Sequence, residues 1–243
     1  SNQRFALTRI DQAQTRGNSL DTLAYPIGWW ISDDAVIIDP PGALITQAMA
    51  KTESGDTSSE SNAAIPAGSQ AKLWNHLLDW LIHNRSRRAL NGLLLVVDLP
   101  ALLHASPEQR TELANTLRTR LYDVSTQLGS RLPVYVVMSK LDLLDGFDQF
   151  FARMPAKERE QILGFTFRLD AVNDFDAWLD EFANHYDKLT ALLYEQVLEQ
   201  LRLLACPSQR ERLISLHAQF IGLRPVSLNF LNEVLASDRF TTP

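Results

Sequence analysis

The sequence predicts a mixed α/β fold with a mainly parallel sheet and flanking helices, followed by an all-helical module. Two continuous apolar runs, Gly92–Asp98 and Val134–Met138, are typical of strands buried on both faces. A segment with helical spacing stands between them, which is the order of a parallel crossover. Beyond residue 172 the strand signals stop and apolar residues recur at helical spacing. We therefore expect an α/β domain over 1–172 and a helical module over 173–243.

Composition excludes several classes of protein. The 243 residues are 45% hydrophobic and 21% charged, which argues against general disorder. The formal net charge of −6 argues against a surface that follows a nucleic-acid backbone by charge alone. One cysteine, Cys206, allows neither an internal disulfide nor a cysteine-based metal site. We expect no membrane span, which needs roughly 20 apolar residues in a row, and no signal peptide.

The first third of the chain carries a hairpin signal and a loop signal. Residues 29–39 read WWISDDAVIID, in which Ser32-Asp33-Asp34 separates two runs of strand formers. Residues 51–70 are rich in Ser, Gly and Ala, and we predict a mobile loop that tolerates deletion. Helical spacing follows over Lys72–His83.

Capping and helix-breaking residues predict where the later helices begin and end. Ser106-Pro107-Glu108-Gln109 is a capping box, and the helix that it begins is expected to end at Gly129. A weaker strand is predicted over Gly164–Leu169. In the helical module, Ser208-Gln209-Arg210-Glu211 is a second capping box, and Pro225 is expected to stop its helix.

One candidate motif follows the hairpin. Asp39 ends its second strand and Gly42 stands three residues later, as in the D-x-x-G element of P-loop GTPases. In that element the Asp reaches the magnesium shell and the Gly amide reaches the γ-phosphate. The alternative is an ordinary strand-ending turn, which Pro40-Pro41-Gly42 explains well.

A second candidate motif follows the second apolar run. Ser139-Lys140-Leu141-Asp142 stands where GTPases carry [N/T/S]-K-x-D, whose Lys packs on guanine and whose Asp accepts hydrogen bonds from the base. The alternative is a polar loop after a strand, with a Lys–Asp pair. The position of the motif directly after a strand favours a guanine-site ancestry.

The phosphate cradle of such a site is missing from this sequence. A P-loop reads G-x-x-x-x-G-K-[S/T], and none of the five lysines follows a glycine. No G-x-S-x-G, H-E-x-x-H or C-x-x-C motif occurs, so we predict no catalytic residues and no metal site. His76 and His83 are seven residues apart on one predicted helix, which is typical of a helix face rather than a metal site.

Four ordered pieces carry a family resemblance: GWWISDDAVIIDPPG, HNRSRRALNGLLLVVD, RLPVYVVMSKLDLLDGFDQFF and EREQILGFTF. In this order they resemble the cytoplasmic NTPase-like domain of the TssM (IcmF-type) family, inner-membrane proteins of bacterial type VI secretion. The resemblance runs along the whole chain. It implies a GTPase-like fold at the cytoplasmic face of the inner membrane.

The resemblance also implies partners and a cofactor. Members assemble with TssL and TssJ into a complex across the envelope whose cytoplasmic side meets the baseplate, and we expect a homo-oligomer of the full-length protein. Many relatives carry a P-loop just upstream of the segment that matches SNQRFAL here. GTP or ATP with magnesium is therefore expected only if an upstream P-loop exists. In this fold the P-loop strand lies mid-sheet, between the strands that end at Asp39 and Asp98.

This sequence departs from the family pattern on the phosphate side. The family's D-T-A-G is Asp39-Pro40-Pro41-Gly42 here, and a Thr that could ligate magnesium is replaced by Ala24, with Thr22 off register. The expected nucleotide-binding residues are therefore vestigial: Asp39, Gly42, Ser139, Lys140 and Asp142.

These observations lead to three function hypotheses. The first is a scaffold domain of the secretion membrane complex with a degenerate nucleotide site. The second is an active GTPase or ATPase whose P-loop lies upstream, and the third is an unrelated helical adaptor. Under the first, Phe230 and Leu231 are candidates for an uncovered apolar patch that contacts other subunits. The alternative is that both residues pack in the core.

Overall fold

The structure, a computed structural model, describes residues 8–9, 27–46, 67–85, 88–130, 132–167 and 175–235. The chain divides into two compact units, one of residues 1–91 with 119–132 and one of residues 92–118 with 133–243. The expected boundary at residue 172 thus falls inside the second unit.

The first unit contains a small antiparallel sheet and helices. Its strands lie in the order β1-β2-β3. The elements are β1 (Thr8–Arg9), β2 (Gly28–Ile31), β3 (Val36–Asp39), α1 (Gly42–Ile45) and α2 (Ala67–Asn84). The predicted hairpin is confirmed: Ile31 pairs with Val36, and the Ser32 amide donates to the Ala35 carbonyl across the turn at 2.9 Å.

The second unit contains a parallel strand pair and the remaining helices. The elements are β4 (Leu93–Asp98), α3 (Leu99–His104), α4 (Pro107–Leu128), β5 (Val134–Ser139), α5 (Phe147–Ala152), α6 (Ala156–Arg159), α7 (Phe175–Leu203) and α8 (Pro207–Leu235). A 3₁₀ turn, Leu141–Leu143, follows β5. The two strands pair in register from Leu93 with Val134 to Asp98 with Ser139. Helix α4 continues past residue 118 into the first unit.

Helix α2 begins earlier than the sequence indicated. Residues 67–70 are helical, so the expected loop is wrong at its end, and residues 51–66 lie outside the described residues. Gln70 is 4% exposed and shares a face with the buried Trp74, Leu77 and Leu81. The added turn therefore continues the stripe that buries the helix.

Aromatic contacts hold the first unit together. The rings of Trp29 and Trp80 meet edge to face with centroids 5.7 Å apart. The Arg120 guanidinium lies 5.7 Å from the centroid of the buried Trp74 ring, and its Nε donates to the Ile45 carbonyl at 3.2 Å. Arg120 thus ties α1 and α2 to the end of α4.

The capping box before α4 is confirmed in both directions. The Ser106 amide donates to Gln109 Oε1 at 2.9 Å, and the Gln109 amide donates to Ser106 Oγ at 3.3 Å. Gly129 follows the helix with φ +58°, the left-handed conformation that ends many helices.

The two apolar runs form strands as predicted, but the prediction that both faces of these strands are buried is wrong. One face of the β4–β5 pair is open: Leu94 is 55% exposed, Val96 56% and Tyr135 61%. The neighbouring Val97, on the other face, is 4% exposed. Apolar runs favour the extended backbone, whereas the layers that cover it depend on distant segments.

The weak strand expected at Gly164–Leu169 is also wrong for its described part. Residues 164–167 are not in a strand, and 168–169 lie outside the described residues. Phe165 and Phe167 instead contact α7, with ring centroids 5.4 Å and 6.4 Å from Phe182. The two phenylalanines are two residues apart, which is the spacing of one strand face, but they pack against a helix and not in a sheet.

Helices α7 and α8 form an antiparallel hairpin. Asp187 ion-pairs with Arg224, and further along α7 the ring of Tyr194 lies 4.8 Å from that of His217. Most successive buried residues are three or four positions apart, as in a coiled-coil seam. They are Phe182, Tyr186, Leu193, Val197 and Gln200 on α7, and Leu213, Leu216, Phe220, Leu223, Ser227, Phe230, Leu231 and Val234 on α8.

Pro225 lies inside α8, so the expected stop is wrong. A proline in a helix interior costs about 3 kcal/mol. Phe230, Leu231 and Val234 are buried beyond it, and each large apolar side chain contributes roughly 1.5–3 kcal/mol on burial. Packing therefore outweighs the lost hydrogen bond.

The same packing overturns the patch expected at Phe230 and Leu231. The two residues are 2% and 5% exposed. Neither offers an uncovered surface.

The prediction that Ser208 caps the second helix is wrong, because the helix begins before Ser208. Helix α8 begins at Pro207, and the Arg210 amide donates to the Cys206 carbonyl at 3.2 Å, so Cys206 rather than Ser208 precedes the helix. Hydrogen bonds from the Ser208 hydroxyl, and then from the amides of Gln209 and Ser208, lower the pKa of the exposed Cys206 thiol.

A close backbone contact joins the segment after β5 to α8. Gly146 has φ +85°, and a Cβ there would lie 2.1 Å from the Arg212 carbonyl oxygen. Only glycine fits both the conformation and the space.

The Gly146→Ala variant should lose roughly 2–5 kcal/mol of unfolding free energy, from the left-handed backbone and the overlap with Arg212. Gly129→Ala is the matched control, because Gly129 has φ +58° but no heavy atom within 4 Å. It should cost about 1 kcal/mol. Urea denaturation measures both, and equal losses would contradict the contact.

Truncation tests the seam. Phe230→Ala should cost about 3–5 kcal/mol, because a fully buried ring leaves a cavity. Ile214→Ala on the same helix should cost less than about 0.5 kcal/mol, because Ile214 is 56% exposed. Thermal and urea unfolding give both values. If Phe230→Ala left the unfolding free energy unchanged, Phe230 would be a surface residue.

Candidate functional site

The carboxyl ends of β4 and β5 bring three polar side chains together. Asp98 and Ser139 are register partners at the last position of each strand, and Lys140 follows directly. Ser139 Oγ donates to the Val97 carbonyl at 3.0 Å, which links the strand ends. Ligands of open parallel sheets bind at this edge.

Asp98 satisfies two groups at once. Its Oδ1 accepts a hydrogen bond from the Ala101 amide at 3.1 Å and so caps α3, while its Oδ2 ion-pairs with the Lys140 ammonium. The Lys140 ammonium, and next the Ala101 amide, hold the pKa of the Asp98 carboxyl below its ordinary value. Both side chains are about half exposed, 54% for Lys140 and 40% for Asp98.

Lys140 has a strained backbone. Its φ is +63°, and among the described residues it is the one non-glycine residue with a positive φ. A left-handed conformation costs an ordinary residue roughly 1–2 kcal/mol. Its persistence here indicates that neighbouring contacts hold it in place.

Asp142 remains available on the surface. It lies in the first turn of the 3₁₀ segment and is exposed. Within the described ranges its carboxylate has no ion-pair or hydrogen-bond partner. It can therefore accept hydrogen bonds from a ligand.

The other expected residues, Asp39 and Gly42, belong to the first unit, whereas Ser139, Lys140 and Asp142 belong to the second. Asp39 is exposed at the end of β3, opposite Gly28. Gly42 begins the four-residue α1, whose Leu44 amide donates to the Pro41 carbonyl at 2.9 Å. This geometry is that of a strand-ending turn.

Two further expectations concern metals. Ala24 and Thr22 lie outside the described residues. In the part of the chain that the structure describes, no group of three or more His, Cys, Asp or Glu side chains could hold a metal ion. His83 Nδ1 lies 2.7 Å from the Asp79 carbonyl of its own helix.

Sequence reasoning missed Asp98 as a site residue. It ends the apolar run LLLVVD and stands in register with Ser139. The available signal was the acidic Asp98 at the end of one strand and the basic Lys140 directly after the next strand, which together predict an ion pair once the two strands are known to pair. The left-handed φ of Lys140 left no signal in the sequence.

Comparison with known proteins places the chain. The family model described as the IcmF-related N-terminal domain matches residues 67–243. "Type VI secretion system component TssM1" of Pseudomonas aeruginosa is 32% identical over 206 residues. The chain belongs to the TssM/IcmF family. The matched region covers 85% of this chain but 17% of the relative's length. No solved structure matches the chain.

The matched region of this TssM/IcmF domain includes the whole strand-end site. None of the helices in the described ranges is long and apolar enough to cross a bilayer.

The Asp98–Lys140 pair can be measured by titration. Because the pKa of Asp98 is lowered in the folded protein, the pair contributes stability above the unfolded pKa and loses it as the pH falls through the folded pKa. NMR titration of the carboxyl carbon should show a midpoint below the ordinary value of 3.8. In Lys140→Met the midpoint should rise but stay lowered, because the Ala101 amide still donates.

Lys188→Met on α7 is the control, which removes a different ammonium and should leave the Asp98 midpoint unchanged. Equal midpoints in the wild type and Lys140→Met would exclude the ion pair in solution.

Proposed function

We propose that this chain is a scaffold domain of a type VI secretion membrane complex, at the cytoplasmic face of the inner membrane, with a degenerate nucleotide site. Family membership and the description of the relative support the secretion assignment. TssL, TssJ and baseplate proteins are the proposed partners, and the full-length protein is the proposed homo-oligomer. The same match argues against an unrelated helical adaptor.

One observation carries the degenerate site: the Lys140 ammonium is already paired with Asp98. In the motif that Ser139-Lys140-Leu141-Asp142 resembles, the lysine packs on a base, and here the Asp98 carboxylate draws the Lys140 ammonium away from that role. Here Asp98, Lys140 and Asp142 combine two carboxylates with one ammonium, so the strand-end cluster is formally negative.

A second candidate function is an active GTPase or ATPase whose P-loop lies upstream of this chain. The exposed Asp142 favours it, because a carboxylate in the turn after a parallel strand can accept hydrogen bonds from a guanine base. GTP or ATP with magnesium would then be the cofactor.

Calorimetric titration of GTP, GDP and ATP with magnesium onto this chain tests the site. We expect no micromolar binding, because no Gly-Lys pair is present to cradle phosphates. Micromolar binding that Lys140→Ala or Asp142→Ala abolished would contradict the proposal.

The same two substitutions in the full-length protein separate scaffold from enzyme. Secretion should persist with Lys140→Ala and Asp142→Ala combined, if the domain acts by contact alone. Phe230→Asp is the positive control, because a charge at this buried position should unfold the helical part of the chain and stop secretion. Loss of secretion in the folded double variant would favour the enzyme.

A further inference from the structure

The strained Lys140 is the first residue of a continuous hydrogen-bonded segment. The connector, defined here as residues 140–150, contains the 3₁₀ turn and most of α5. Its amides donate in succession: Leu143 to the Lys140 carbonyl at 3.2 Å, Phe147 to Leu144 at 3.1 Å, and Phe150 to Gly146 at 3.0 Å. The connector is therefore stiff along its length.

The middle of the connector is fixed to α8 from several directions. The Asp145 carboxylate accepts a hydrogen bond from Arg212 Nε at 2.7 Å. The Gln219 side chain brackets the Asp145 backbone, accepting from its amide and donating to its carbonyl at 3.2 Å each. Gly146 contacts the Arg212 backbone directly. A shift of this turn cannot occur without a response from α8.

The end of the connector is fixed to α7. Phe150 is 3% exposed, and its carbonyl accepts a hydrogen bond from the buried Gln200 Nε2 at 3.1 Å. Both helices of the hairpin are thus joined to the segment that Lys140 begins.

The start of the connector is held by the last pairing of β5 with β4 and by the Asp98–Lys140 ion pair. A left-handed lysine relaxes unless its surroundings over-determine it, and the Asp98 carboxylate restrains the Lys140 side chain at the strand ends. Asp98 is itself fixed by capping α3. The connector therefore has a weak restraint at Lys140 and firm restraints at its contacts with α7 and α8.

We propose that the Asp98–Lys140 pair is a latch that couples the strand ends to the surface of α8. An anionic group that takes the Lys140 ammonium from Asp98 opens the latch, the left-handed backbone relaxes, and the connector transmits the change to Arg212 and Gln219. This device goes beyond the proposed scaffold function and does not depend on nucleotide binding.

Hydrogen exchange of the intact chain, followed residue by residue by NMR, tests the latch. Asp98→Asn removes the charge but keeps an oxygen that can cap α3. Lys140→Met removes the ammonium and keeps the strain, whereas Lys140→Gly removes both. Glu112→Gln is the control, since Glu112 is an exposed carboxylate on α4 of the same unit.

Asp98→Asn and Lys140→Met should speed exchange at the Asp145 and Phe150 amides and at α8 residues 212–219 by about fivefold. Lys140→Gly and Glu112→Gln should stay near the wild type there. Faster exchange confined to residues 98–104 in both loosened variants would overturn the coupling. Loosening by Lys140→Gly as large as by Lys140→Met would overturn strain as its cause.

Discussion

The contact between the Asp145–Gly146 turn and the α8 backbone is the constraint on which the second unit depends. It leaves no room for a side chain at Gly146, and it fixes where the segment after β5 meets the α7–α8 hairpin. The Arg212 ion pair and the Gln219 amide then define the turn's orientation. This contact joins the segment after the parallel strands to the long helices within one compact unit.

Local chemistry in the sequence predicted the elements whose stabilising contacts are also local. The Ser32 turn and the Ser106–Gln109 capping box are satisfied by residues three positions apart, so their residue types specify their structure. Helices α2 and α4 follow the same logic, since a stripe of apolar residues fixes the period.

Predictions failed where a distant segment decides the outcome. Pro225 is tolerated because apolar residues beyond it are buried. Phe165 and Phe167 pack against α7 because Phe182 offers an aromatic ring there. The open face of β4 and β5 belongs to the same class, since an apolar run does not specify what packs on it. The GTPase-like assignment of the whole fold stays a prediction.

In the candidate site, too, the local features could be predicted and the distant contact could not. The position of Ser139-Lys140-Leu141-Asp142 after a strand could be predicted, because strand and loop are adjacent in sequence. The partner of Lys140 could not, because Asp98 is 42 residues away and reaches it only through parallel pairing. That partner changes the interpretation of the motif. A lysine that faces an empty pocket can bind a phosphate or a base, whereas a lysine already neutralised by a carboxylate must first lose that pair. Any anion that binds at this edge therefore competes with Asp98, and its affinity is reduced by the free energy of the pair that it replaces.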